Sequence, residues 1–408
     1  MSNLLNPARR AALASAVASA VAIGASAILV ACGGGGGDTT PVAAPPAPPA
    51  VASAYSQGAI TGFGSVFVGG VRFDDSTASV ADEDGNSRSN SDLKLGMMVE
   101  VDSGNVDRAA ATALAVRIRW GSEIVGPVGA IDTTASTVVV LGQTVLVTTS
   151  TVFDSTLAGG LSALTAGAVI EVHGILDPAN RRVVATRIEP KAGALAFKLR
   201  GAIAALNTTA KTFTINGQLV SYAGLLAANL PAALSNGQIV RVLLQTTQVA
   251  GQWVATGLRG GVRLPDARQE AHVEGVITVF TSSSSFEING LRVDATNAAF
   301  PDGTAGIVLG TRVEVEGTVT NGVLVATKVE IEERRTPEQR QLELRGEMSG
   351  LNATAKTFAL RGVTVWYGGT VEYRGGTEAT LANGRRVEVK GVLSSDRTRL
   401  EARRIEFK

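Results

Sequence analysis

Few residues in this 408-residue chain are spaced to do chemistry. Ser91 and Lys94 stand three apart, the Ser-x-x-Lys arrangement in which an ammonium group can activate a serine nucleophile. That chemistry also needs a helix under the serine and companion Ser-Asp-Asn and Lys-Thr-Gly elements. Ser91 instead lies in a polar stretch leading into a strand, so the spacing alone assigns no catalysis. Asp82, Glu83, Asp84, Gly85 and Asn86 resemble the front of a calcium loop. The bidentate glutamate that closes such loops is missing, and the stretch reads as a polar hairpin tip. Gly62-Phe63-Gly64 and Gly33–Gly37 are glycine-rich, but neither joins a strand to a helix as a phosphate cradle does. The two histidines, His173 and His272, fall in different repeats and should not share a site. These readings lead to a non-catalytic chain with no metal site and no cofactor.

Charge and aromatic content narrow the partners. The net charge is +1, and aromatic residues are only 4% of the chain. Neither the charge of a nucleic-acid binder nor its stacking platform is present. Trp120, Trp253 and Trp366 occupy different places in their repeats, as expected of side chains filling seams or barrel ends. Charge is uneven along the chain. Residues 56–120 hold six cations and nine acids, whereas 335–408 hold 14 cations and nine acids. The basic C-terminal repeat could meet a polyanion or glycan, with Trp366, Tyr367 and Tyr373 as its local aromatics.

The elements that must position these residues are short strands. Forty-seven glycines and a strong aliphatic content suit an all-β chain with frequent turns. Leu309 to Ile331 shows the pattern: Val313, Val315 and Val319 alternate with polar residues, and Asn321-Gly322 makes the turn of a hairpin. The pattern occurs five times. Its opening glycines are Gly58, Gly129, Gly201, Gly275 and Gly346, spaced by 71, 72, 74 and 71 residues. Each unit contains about five strands and a connection, between the third and fourth, long enough for one short helix. A lone small sheet would expose an apolar face and open edges, and closure removes both. The expectation is five tandem OB-like β-barrel modules of about 72 residues, with small β-sandwiches as the alternative. The predicted boundaries are 57–120, 121–190, 191–264, 265–334 and 335–408.

One covariation suggests a strand register. The fourth strand carries Glu100, Glu171, Glu314 and Glu388, and the fifth carries Arg117, Arg187, Lys328 and Arg404. In module 3 both are lost, to Arg241 and Gly257. We read Glu100–Arg117, Glu171–Arg187, Glu314–Lys328 and Glu388–Arg404 as cross-strand pairs on the solvent face, structural rather than functional.

The N-terminus has a different character. Arg9 and Arg10 precede an apolar run from Ala11 to Ala31, the charged and hydrophobic regions of a signal peptide. The run ends Leu29-Val30-Ala31-Cys32, which resembles the lipobox of bacterial lipoproteins. That resemblance implies cleavage after residue 31 and lipid attachment at Cys32, the chain's one cysteine. Gly33 in place of an aspartate implies the outer membrane. Residues 32–56, rich in Gly and then Pro, read as a tether.

The repeat pattern G-x-I, F-x-I-N-G-x-x-V, L-x-x-G-x-x-V-E-V-x-G and V-A-T-x-I-E resembles the bacterial domain-of-unknown-function 5666 family. The opening of module 1, GAITGFGSVFVGGVRF, looks typical. Module 3 departs most, with Arg241 for the glutamate and Gln245 where the following glycine is expected. The resemblance implies tandem β modules in envelope lipoproteins and supplies no activity. The functional expectation is therefore a structural or protein-binding adaptor of the cell envelope, held to the membrane through Cys32 and contacting an unidentified envelope protein.

Overall fold

The computed structural model describes residues 53–231, 233–261, 267–332 and 341–408. Cys32 and nearly all of the expected signal peptide and tether lie outside these residues. Ala54–Ala59 is already strand, with Tyr55 and Ser56 buried, so the first module begins before residue 57.

Module 4 shows the circuit most simply. Its strands are Arg268–Ser282, Ser285–Ile288, Leu291–Asp294, Arg312–Thr320 and Val323–Ile331. The first pairs with the second and fourth, the second with the third, and the fourth with the fifth, all antiparallel. The third runs parallel to the fifth and completes the ring. The order 1-2-3-5-4-1 is that of an OB-like barrel, and a closed ring excludes the sandwich alternative. Modules 2 and 5 close in the same way. Modules 1 and 3 do so with the first strand broken in two: Ala54–Ala59 with Gly62–Phe63, and Phe197–Ala202 with Ala204–Asn207.

Two glycine positions explain why the motif repeats. At the hairpin between the second and third strands, both turn residues have positive φ: Leu141 and Gly142 at 48° and 70°, Asn289 and Gly290 at 49° and 82°. That is the type I′ geometry matched to strand twist, and it selects Asn-Gly. The glycine entering each fourth strand (Gly96, Gly167, Gly237, Gly310, Gly384) has φ between 82° and 85°, a left-handed conformation that costs glycine least. The connection before it forms no α-helix among the described residues. Modules 1, 2, 3 and 5 make only a 3₁₀ turn there, as at Gly160–Ala163. Leucines of this stretch, such as Leu161 and Leu164, cap the barrel core without a full helix.

The expected cross-strand pairs are displaced. Glu314 faces Glu330, and Lys328 faces Glu316. Likewise Glu100 faces Arg119, Arg117 faces Asp102, Glu171 faces Glu189, and Arg187 faces His173. In module 5, Glu388 faces Glu406 and Arg404 faces Lys390. One place of the displacement is set by the turn, which puts Thr320 opposite Val323, and the second by a one-residue bulge in every fifth strand. The ladder passes from Glu316–Lys328 to Gly317–Ala326, leaving Thr327 unpaired and turning the cation onto the outer wall two places from the expected partner. The bulge also explains the V-E-V-x-G glycine. A Cβ at Gly317 would lie 2.1 Å from the Val325 carbonyl oxygen, and one at Gly391 would lie 2.2 Å from that of Glu401. In module 3 this position is Leu244, not Gln245, since the register shift falls between Leu243 and Leu244.

The outer wall is also not the solvent face. Glu171, Glu314 and Glu388 are buried, because barrels pack against barrels. Tyr55 of module 1 runs parallel to Ala271 of module 4, and Gly62 to Glu343 of module 5. Modules 2 and 3 join through Val125–Lys198 and Ile124–Leu199. The Gly62-Phe63-Gly64 stretch exists for this packing. Cβ atoms at Gly62 and Gly64 would lie 2.3 Å from the Glu343 carbonyl oxygen and 2.2 Å from the Arg345 Cβ. The described residues form one compact unit.

Replacing Gly317 by Val should force the bulge apart. Overpacking of this kind costs about 1–3 kcal/mol, so urea unfolding of Gly317→Val should show a lower midpoint. An unchanged midpoint would mean the close approach to Val325 is not a constraint.

Candidate functional site

The densest buried charge lies where modules 1, 2 and 3 meet. The hairpin tip Asp82-Glu83-Asp84 is its acidic contribution. Asp82 is consumed by its own loop, accepting hydrogen bonds from the Asp84 and Asn86 amides and from Arg88. These bonds overcome its partial desolvation and hold its pKa below the usual range. Those oxygens stabilise a tip, as expected, and do not form a calcium loop. Glu83 reaches module 3, 2.6 Å from Lys198 Nζ, 2.5 Å from Arg200 and 3.1 Å from Arg241. Asp84 bonds Arg241 and lies 3.7 Å from Arg259. Arg241, which departs from the repeat's glutamate, is thus the centre of a basic socket for the acidic tip of module 1. In its own barrel it faces Arg200 and Arg259, so the tip also separates like charges.

Ionisation follows this geometry. Burial alone would raise Glu83, but Lys198, Arg200 and Arg241 pull it down to about 2. Glu123 sits deeper, 3.1 Å from Arg200, and burial pushes it above the usual carboxylate range despite that arginine. Arg241 is raised because Asp84 and Glu83 outweigh its desolvation.

Module 2 carries the second half of the junction. Glu171 and His173 are two apart on one strand, and Glu189 is directly opposite Glu171 on the next. All three are buried, and their ligand atoms lie within 4.8 Å of one another. Glu189 Oε2 is held by Lys94 of module 1 at 2.8 Å and by Arg187 at 2.9 Å. Arg187 also donates to the Leu95 carbonyl at 3.2 Å and to Asp154 at 2.6 Å. Lys94 is therefore an inter-module ion-pair partner. Ser91 lies in a 3₁₀ turn and bonds Ser89, away from any base role for Lys94.

The remaining sequence candidates are separated. His173 is fully buried against Trp120, its ring 5.9 Å away, on the wall read as solvated. His272 lines a cavity of about 1150 Å³ with Glu270, Glu316 and Lys328. Burial lowers the pKa of His272, and Glu316 and Glu270 only partly offset this. Trp253 packs edge-on to Phe197 in the core of module 3, and Trp366 lies under Arg399. Tyr367 is buried in the core of module 5, not displayed for stacking. What the sequence did not reveal is the socket, whose parts lie more than 100 residues apart. Its one local signal is the charge inversion at Arg241.

The family model described as a domain of unknown function, DUF5666, matches residues 125–189, 274–330 and 345–406. Matches in three repeat regions are those of a tandem-repeat DUF5666-like protein. The matched segments are modules 2, 4 and 5 of the array. Modules 1 and 3 fall outside the matched ranges and are the two with broken first strands, joined by the acidic tip and its socket. No curated protein matches this DUF5666-like chain. A solved structure described as drosophila Unr CSD456 is similar at 11% identity, covering 53% of this chain and 98% of that one. Its TM-score of 0.13 is too low to carry an argument.

The low pKa of Glu83 makes the junction acid-sensitive. Its folded pKa of about 2 lies below the 4.5 of an ordinary glutamate, so the unfolded chain binds the proton first. The contribution, roughly 3 kcal/mol by the usual conversion, is present above about pH 4.5 and disappears as pH falls toward 2. Glu123, with its pKa raised, runs the other way. Glu83→Gln should lower the melting temperature at pH 7 and flatten its fall between pH 5 and 2.5. A variant with wild-type acid sensitivity would show that the tip is not the titrating element.

Proposed function

We propose that this protein is a non-catalytic lipoprotein of the bacterial cell envelope, a structural or protein-binding adaptor built from tandem barrels. The observation that carries this is the order of parts: a charged and apolar leader, Leu29-Val30-Ala31-Cys32, a Gly- and Pro-rich spacer, then one compact body. A lipid at Cys32 would hold that body at the outer membrane on a tether. Among the described residues no helix is long and apolar enough to cross a membrane, and the anchor in this reading is the lipid. The charged side chains best placed for chemistry join modules to one another, which supports scaffold over catalyst. Variable loops between rigid strands then supply the partner contacts.

Polyanion or glycan binding by module 5 is the second reading. It is favoured by Arg385 and Arg386, which are exposed and form no salt bridge among the described residues. Against it, Arg345, Lys356, Arg374, Lys390, Arg404 and Lys408 already meet acids.

Cys32→Ala should abolish labelling by a fatty-acid analogue and shift the protein from the membrane to the soluble fraction. Continued labelling of the variant would end the anchor reading. On heparin at low salt the body should elute in the flow-through. Firm retention that is lost in Arg385→Ala/Arg386→Ala would promote the second reading over the first.

A further inference from the structure

We infer that Glu171, His173 and Glu189 form a binding site for a borderline divalent metal ion such as Zn²⁺, which would fasten the seam between modules 1 and 2. The argument begins with the histidine. His173 Nδ1 lies 2.9 Å from the Gly121 carbonyl oxygen. A carbonyl only accepts, so Nδ1 carries the proton, and in a neutral ring Nε2 bears a lone pair. His173 has no exposed surface, and its Nε2 has no hydrogen-bond partner among the described residues. The atom it faces is Glu189 Oε1, at 4.0 Å.

Two lone-pair atoms facing each other in a buried space call for a positive centre between them. A shared proton does not span 4.0 Å, because such hydrogen bonds are about 3 Å long. A metal comes nearer, since two ligand atoms about 2.0–2.1 Å from a tetrahedral Zn²⁺ stand about 3.4 Å apart, and the side chains would close the gap by about 0.6 Å on binding. The second carboxylate is at hand: Glu171 is two residues from His173 and directly opposite Glu189. A nitrogen and carboxylate oxygens suit Zn²⁺ or Mn²⁺ and suit Ca²⁺ or Mg²⁺ poorly, because these prefer all-oxygen shells.

The surroundings are built as outer supports for such an ion. The Nδ1–H to carbonyl bond fixes the tautomer and ring orientation. Glu171 Oε1 accepts from the Ser122 hydroxyl at 2.7 Å, and Glu189 Oε2 is held by Lys94 and Arg187, leaving Oε1 toward the histidine. One group competes: Lys191 Nζ lies 2.6 Å from Glu171 Oε2. Its side chain is 44% exposed and can move into solvent, whereas the three ligands cannot leave. Trp120 at the end of module 1 and Gly121 at the start of module 2 line the histidine side, which ties the ion to the seam.

The test uses the full chain, stripped with chelator and titrated with Zn²⁺ by calorimetry and with Co²⁺ by visible absorption. The expected result is one site per chain, cobalt d–d bands of a nitrogen–oxygen shell, a higher melting temperature with Zn²⁺, and no response to Mg²⁺. His173→Gln, checked for folding by circular dichroism, should weaken binding at least 100-fold. Lys191→Gln, also checked for folding because Glu171 loses its cation, should tighten it severalfold by removing the competing ammonium. Absence of a saturable site, equal affinity in His173→Gln, or unchanged affinity in Lys191→Gln would each overturn the assignment. So would nitrogen NMR showing His173 doubly protonated at pH 7 in stripped and Zn²⁺-treated protein alike.

Discussion

A charged side chain on the outer wall of a small barrel becomes costly once a second barrel covers it, and this protein's assembly turns on meeting that cost. Dehydrating an ion costs several kcal/mol even after relaxation, and a bare partner left behind costs about 3–5 kcal/mol. Three buried carboxylates show how it is met. Glu189 meets Lys94 and Arg187, Glu274 meets Arg312, and Glu388 meets Arg345 and Lys408. The seams are thus specified by charge as well as by fit, because a misdocked barrel would strand ions in a dry place.

The same constraint explains why the repeats are unequal. Five identical barrels would carry the same glutamate on the same wall and repel where those walls met. Module 3 inverts the sign with Arg241, and module 1 extends an acidic tip to meet it. The tip consumes Asp82 to hold its own shape and offers Glu83 and Asp84 outward. Loss of the usual glutamate and gain of the socket are one event. The grouping of ladders follows, with modules 1, 4 and 5 sharing one continuous sheet and modules 2 and 3 another. Modules 1 and 5 also share one apolar core cluster, although three modules separate them in sequence.

The closed barrels leave no long free edge among the described strands, and the variable features are loops and connections. Buried carboxylates paired across the seams, Glu83 among them, give the seams a dependence on pH that an apolar interface would lack.

Local physics was legible in the sequence, and the packing of modules was not. Alternating valines, Asn-Gly turns and strand-entry glycines are short-range features, so strand number, the type I′ hairpin and the ring order could be read from one chain. The cross-strand pairs were read two places out: the turn register, with Thr320 opposite Val323, accounts for one, and a one-residue bulge at Thr327 for the other, a bulge whose one mark in the sequence is the glycine opposite it, held by a backbone contact. The outer glutamates were placed in solvent because alternation tells which wall a residue is on and not what covers that wall. Covering is decided by contacts between residues far apart in sequence, such as Glu83 with Arg241 and Lys94 with Glu189. Their energy depends on dehydration, and dehydration exists only once the barrels have closed on one another.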